Sequence, residues 1–283
     1  MNPMALSPTP FDLHWRLFRI DFRVQPMFWI VNLVFGYFYV QAFRGVDQHI
    51  YAYLGIWLLC AFISILVHEL GHVIAGRIFG QPSNIILHGM GGVAIGHFDR
   101  LKRWQRIAVS AAGPAVGLAL FAFIEWGLPY FANTYDRQFN GQLRSNRWYS
   151  IVANPMLLPF IHEGEQTAAP GMLVIMNLIW NLFNLLPIIP LDGGMIMREV
   201  VSAILPRHGP RFAYGLSFLF AGSIAFYSLM RMWRPTIPYP PLDPLFSALM
   251  FGWIAYNSFM AMRAEEVPEA APRKWRAYEE RDW

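Results

Sequence analysis

Six apolar runs long enough to cross a bilayer, which takes about 20 residues or slightly fewer, divide this chain. They fall near Pro26–Phe43, Tyr51–Phe79, Ile107–Phe131, Gly171–Leu186, Phe212–Trp233 and Leu245–Met262. Runs of that length predict helices that cross a bilayer. The fourth continues into a stretch broken by Pro187, Pro190, Gly193 and Gly194. One segment breaks the pattern. In Asn84–Phe98 two short apolar runs flank Gly91-Gly92, which predicts a β-hairpin. It is too apolar for a solvated loop, so it is expected to lie in the membrane against the protein. The expected fold is an all-α polytopic membrane protein of about six transmembrane helices with a small membrane-associated β-hairpin. A single domain over residues 1–262 and a charged tail over 263–283 complete the division.

Charge orients the spans. Of the 22 Lys and Arg residues, 16 lie in the connections on one side. The positive-inside rule puts that side, and both termini, in the cytosol. The long Asn133–Pro170 connection then faces away from the cytosol.

Composition agrees with a membrane protein. The chain is 55% hydrophobic and 14% charged, against roughly 25% charged in soluble domains. Its net charge of +4 is spread thinly and gives no nucleic-acid footprint. Cys60 is the only cysteine, so an internal disulfide and a cysteine-based zinc site are excluded. The first 22 residues lack the apolar core and small-residue cleavage site of a signal peptide.

The candidate chemistry sits in the second run. His68-Glu69-Leu70-Gly71-His72 is an H-E-x-x-H on a predicted helix. Residues four apart share a helical face, so two imidazoles can converge on one ion. Glu69 projects to one side, as a general base requires. The plain alternative is a pair of satisfied polar residues. It leaves three ionisable groups at membrane depth without a metal to offset their cost, about 2.5–3.5 kcal/mol for a central charge.

A catalytic metal needs a third protein ligand. Glu125 lies near the outer end of the third run, and Glu163 lies in the outer connection. Neither matches the depth of the motif. Asp192 does. Runs two and four end on the same side, and Asp192 follows a broken helix of the kind that lines a polar cavity. Its alternative reading is a helix N-cap. Asn184 lies two turns earlier and is a candidate for hydrogen bonding substrate backbone; the alternative is an interhelical bond. Asn177 and Asn181 extend the same polar ladder, with structural roles expected. His88 and His97 on the hairpin read as partly exposed polar residues.

His68–His72, together with Asn184-Leu185-Leu186-Pro187 through Leu191-Asp192-Gly193, resembles the paired motifs of the site-2 protease family, peptidase family M50. These are intramembrane zinc metalloproteases. The small-residue stretch Ser110–Leu120 is similar to the family's third core helix, and the likeness covers about Ile50–Leu205. The resemblance implies one Zn²⁺ per chain held by His68, His72 and Asp192, with Glu69 as general base. It implies a compact form without PDZ or CBS domains.

The activity implied is hydrolysis of peptide bonds in or near a transmembrane helix of a membrane-protein substrate, in a bacterial cell membrane. Such a helix must unwind before attack. The hairpin, with Ile86 and Val93 at its centre, is a candidate to receive the opened segment as an added strand. Two alternatives remain open: a non-catalytic membrane scaffold, and a membrane zinc protease acting on non-transmembrane substrates.

Overall fold

A computed structural model describes residues 8–44, 50–89, 91–96, 98–127, 172–233 and 244–264. The whole Asn133–Pro170 connection, with Glu163, and also His97 and the tail beyond 264 therefore lie outside the described residues. The chain divides into two compact units, Met1–Leu186 and Pro187–Trp283.

The first unit opens with two strands, β1 (Leu13–Leu17) and β2 (Ile20–Val24). Helix α1 (Pro26–Arg44) follows, then α2 (Ile50–Ile78). Strands β3 (Ser83–His88) and β4 (Gly91–Gly96) come next, then α3 (Arg103–Ala122) and α4 (Met172–Asn184). Pro26 starts α1, where its missing N–H has no intrahelical partner to lose. The α3 helix runs into a π-helical turn at Phe123–Gly127.

The expected hairpin is present as β3–β4, with Ile86 opposite Val93. It belongs to a larger sheet, in the order β1-β2-β3-β4. Strand β2 pairs in parallel with β3, so the chain passes through α1 and α2 before returning to its neighbour. Alternation fixes the inner face. Ile20, Phe22, Val24, Ile85 and Leu87 are buried together with Ile65 and Val73, the residues flanking the H-E-x-x-H motif on α2. Trp15 stacks on Phe22 at 5.2 Å, and its ring lies 6.2 Å from Phe62. Phe62 is near the middle of α2, so the sheet abuts the centre of that helix.

The sequence pattern did not reveal β1–β2. Two residues join these strands, Phe18 and Arg19, both at positive φ, 49° and 60°. Asn-Gly is the usual signal for such a turn, and neither residue is present. Arg77, in the last turn of α2, offsets the strain by donating to the Phe18 carbonyl at 2.8 Å and the Arg19 carbonyl at 2.6 Å.

The second unit holds α5 (Asp192–Ile204), α6 (Gly209–Trp233) and α7 (Pro244–Ala264). Small residues line the buried faces of α6 and α7, including Ala213, Ser217, Ala221, Ala248, Ala255 and Ser258. They permit close helix packing in an apolar solvent.

Among the described residues, four helices are long and apolar enough to cross a membrane: α2, α3 with its π turn, α6 and α7. The apolar parts of α1 and α4 are shorter. The six-span expectation thus resolves into four helices of sufficient length and two shorter apolar ones.

Candidate metal centre

His68, Glu69 and His72 come from successive turns of α2, and all three are buried. Each offers one ligand atom, and these atoms lie within 4.8 Å of one another. The two imidazoles converge through Nε2, 3.2 Å apart. Their other nitrogens are both engaged. Nδ1 of His72 lies 2.7 Å from the Val109 carbonyl on α3. Nδ1 of His68 lies 2.8 Å from Oδ1 of Asn181 on α4.

These contacts assign the tautomers. A carbonyl oxygen only accepts, so each Nδ1 carries a proton, and a ring with a single proton then presents a lone pair at Nε2. In that form the two lone pairs face each other at 3.2 Å. A cation resolves that repulsion. Two nitrogens bound to one tetrahedral zinc at 2.0–2.1 Å stand about 3.3 Å apart. The donor set therefore fits zinc, with imidazoles whose outer nitrogens are held by oxygen acceptors.

The space for an ion is made by α3. Gly113 faces both histidines, so that an added Cβ would overlap Nε2 of His72 and come within 2.9 Å of Nε2 of His68. One turn later, a Cβ on Gly117 would overlap the Asn181 amide. The small-residue stretch on α3 is what allows α2 and α4 to meet around the site. Gly71 completes this packing on α2, where a Cβ would lie 2.5 Å from the Ala112 carbonyl.

Edge strand β4 lies over the glutamate. A Cβ on Gly92 would come within 2.5 Å of Oε1 of Glu69. Val93 is on this edge strand and Ile86 beside it on β3, an interior strand paired on both sides. Ile86 is buried, and Val93 is half-buried. His88, at the end of β3, is also half-buried, and burial pushes its pKa below the ordinary imidazole value.

The remaining candidates are placed as follows. Asn184 ends α4, buried, with Nδ2 donating to the Trp180 carbonyl at 2.9 Å. Glu125 is buried in the π turn after α3. Asp192 belongs to the second unit and opens α5. The N-cap position is Leu191, so Asp192 is one residue inside the helix rather than its cap. A carboxylate in the first turn is favoured by the helix dipole. The loop before it is anchored through Ile189, whose amide donates to Ser217 Oγ on α6 at 2.9 Å. Ser217 is itself 2.9 Å from Ser258 Oγ on α7.

Sequence reasoning gave Asn181 too little weight. Its spacing from Asn177 and Asn184 put it on their polar face, but nothing in the sequence paired it with His68. Val109, acting through its backbone, left no side-chain signal at all.

The sequence profile of Peptidase family M50 matches residues 56–228. The chain belongs to peptidase family M50. That match takes in the histidine motif, the glycine stripe of α3 and the Asp192 segment. Among similar proteins, sll0528 of Synechocystis sp. is 32% identical over 193 residues, 66% of this chain and 43% of that protein. Zinc metalloprotease MJ0392 of Methanocaldococcus jannaschii is 27% identical over 142 residues, 50% of this chain and 33% of that protein. The chain spans less than half the length of these curated relatives. The solved structure of a site-2 protease from Methanocaldococcus jannaschii overlays with a TM-score of 0.49 at 18% identity, covering 93% of this chain and 100% of that one.

Proposed function

We propose that this protein is an intramembrane zinc metalloendopeptidase that hydrolyses peptide bonds in or near transmembrane segments of membrane proteins. The observation that carries the reading is the pair of Nε2 atoms, 3.2 Å apart, beside a buried glutamate. Membership of a peptidase family supports it, as does the zinc-protease name of the archaeal relative.

His68, His72 and Asp192 would hold the zinc, one ion per chain. Zinc bound there supplies Lewis-acid polarisation of a carbonyl and acidifies water. Glu69 accepts the proton of the attacking water and returns it to the leaving amine. Its burial under β4 excludes bulk water from that exchange. Asn184 keeps its Oδ1 as an acceptor for a substrate amide, since Nδ2 is committed to Trp180.

The substrate helix must expose its backbone before attack. Among the described residues no strand pairs with the outer side of β4, which offers a partner for that backbone, and Gly92 places this side over Glu69. Val93 would contact the added strand from β4, with Ile86 beside it. In this reading the protein spans a bacterial cell membrane six times with both termini cytosolic. The Lys and Arg distribution supports that orientation.

The test is cleavage of candidate membrane substrates by wild type and Glu69→Gln, with zinc content measured on both. Wild type should cleave and the variant should not, at equal zinc. Equal product from both removes the protease reading.

A further inference from the structure

Four buried polar side chains join α2 and α4 in one line: Ser64, Asn177, Asn181 and His68. Asn177 Nδ2 donates to Ser64 Oγ at 2.9 Å and to the Leu173 carbonyl at 2.8 Å. Both of its amide hydrogens are thereby used. Asn181 Nδ2 donates to the Asn177 carbonyl. Asn181 Oδ1 then faces His68 Nδ1 at 2.8 Å.

The orientations are forced in sequence. Leu173 presents only a carbonyl to Asn177, so nitrogen must face it. The Asn177 backbone carbonyl likewise takes the nitrogen of Asn181. Oxygen is left for His68, and an oxygen there admits only the tautomer with the proton on Nδ1. Rotating the Asn181 amide by half a turn would set its carbonyl oxygen against the Asn177 carbonyl. It would also set an N–H against the His68 N–H, a double conflict in a buried site.

We propose that Asn181 is a positioning residue for the metal centre, resting on the zinc reading above. It holds His68 in the tautomer that presents Nε2 to the ion, and the Asn177 backbone carbonyl orients Asn181. Gly117 is the space this arrangement needs. His72 uses a backbone carbonyl for the same purpose, which cannot be lost by side-chain substitution. The vulnerable ligand is therefore His68.

The experiment measures zinc affinity by chelator competition on the purified full chain in detergent, with the Co²⁺ absorption spectrum as a second readout. Wild type is compared with Asn181→Leu, Asn181→Asp, His68→Ala and Asn32→Leu. Outer-sphere partners of ligating histidines typically contribute 10–100-fold in affinity. Asn181→Leu should weaken zinc by that factor and alter the Co²⁺ bands. Asn181→Asp keeps an oxygen acceptor toward His68 but sets its second oxygen against the Asn177 carbonyl, so it should weaken zinc less than Asn181→Leu does.

Asn32→Leu controls for loss of a buried helical asparagine, because Asn32 makes the same kind of bond, to the Phe28 carbonyl at 2.8 Å, on α1. It should leave zinc affinity unchanged. Wild-type affinity in Asn181→Leu alongside loss in His68→Ala overturns the proposal while leaving the zinc reading intact. Equal weakening by Asn181→Leu, Asn181→Asp and Asn32→Leu also overturns it, since the effect would then be general destabilisation. Absence of zinc binding by wild type overturns the underlying reading itself.

Discussion

Gly113 stands so close to His72 that a single methyl group on it would overlap the Nε2 atom. The same methyl would reach His68, so the ion's position between the two nitrogens depends on a missing side chain on the neighbouring helix. Gly113→Ala should therefore displace an imidazole or exclude the ion. Zinc affinity is expected to fall at least tenfold, equivalent to about 1.4 kcal/mol. Measured by chelator competition, an unchanged affinity would mean that α3 can move away.

Gly92 plays the corresponding part for Glu69. A methyl there would press on the carboxylate without facing either histidine. Gly92→Ala should leave zinc bound and lower kcat by about 10²–10³, within the usual contribution of a positioned general base. Single-turnover cleavage at matched zinc occupancy reads this directly. Loss of zinc instead of turnover would show that β4 supports the histidines rather than the base.

The helical framework was legible because each element carries its own signal. Hydrophobic run length marked α1, α2, α4, α6 and α7 to within a few residues, and α3 at its start; the end expected for that third run, Phe131, lies outside the described residues. The i, i+4 histidines marked the centre, and Gly91-Gly92 marked the β3–β4 hairpin, although both glycines lie in β4 just after the turn. What was missed depends on contacts distant in sequence. Strands β1 and β2 are held by a turn with no turn residues and by Arg77, about 60 positions away. The His68–Asn181 bond joins residues 113 apart, and the Val109 contact involves only backbone. Asp192 was read from a motif and its backbone breaks, and its role as ligand remains a proposal.

The β1–β2 turn can be improved on physical grounds. Phe18 and Arg19 both adopt a conformation that costs non-glycine residues energy. Replacing them with Asn-Gly, which suits two positive φ angles, keeps the carbonyls that Arg77 binds. The pair should raise stability by about 1–3 kcal/mol, seen as a higher midpoint of thermal unfolding in detergent. Zinc affinity should not change. A lower midpoint would indicate that the exposed Phe18 ring contributes more than its backbone costs.

In the second unit, Ser217 holds the amide of Ile189, three residues before Asp192. Ser217→Ala leaves that amide without its acceptor, at a cost of about 1–3 kcal/mol for a buried group. Ser258→Ala removes only the bond behind it and should cost less. If the loop positions a zinc ligand, Ser217→Ala should lower both the unfolding midpoint and zinc affinity, and Ser217→Thr should restore both. A drop in stability with no change in zinc affinity would separate the loop from the metal.

Strand addition at β4 makes a distinction between backbone and side chain. An added strand is held by main-chain hydrogen bonds, with side chains setting preference. Val93→Ala keeps the main chain of the edge and should retain most turnover. Val93→Pro removes an N–H and fixes φ, so it should abolish turnover while zinc remains bound at the histidines of α2. Cleavage rates with parallel zinc measurements separate the two. Unchanged cleavage by the proline variant would exclude this edge as the docking strand, and loss in both variants would point to the valine side chain instead.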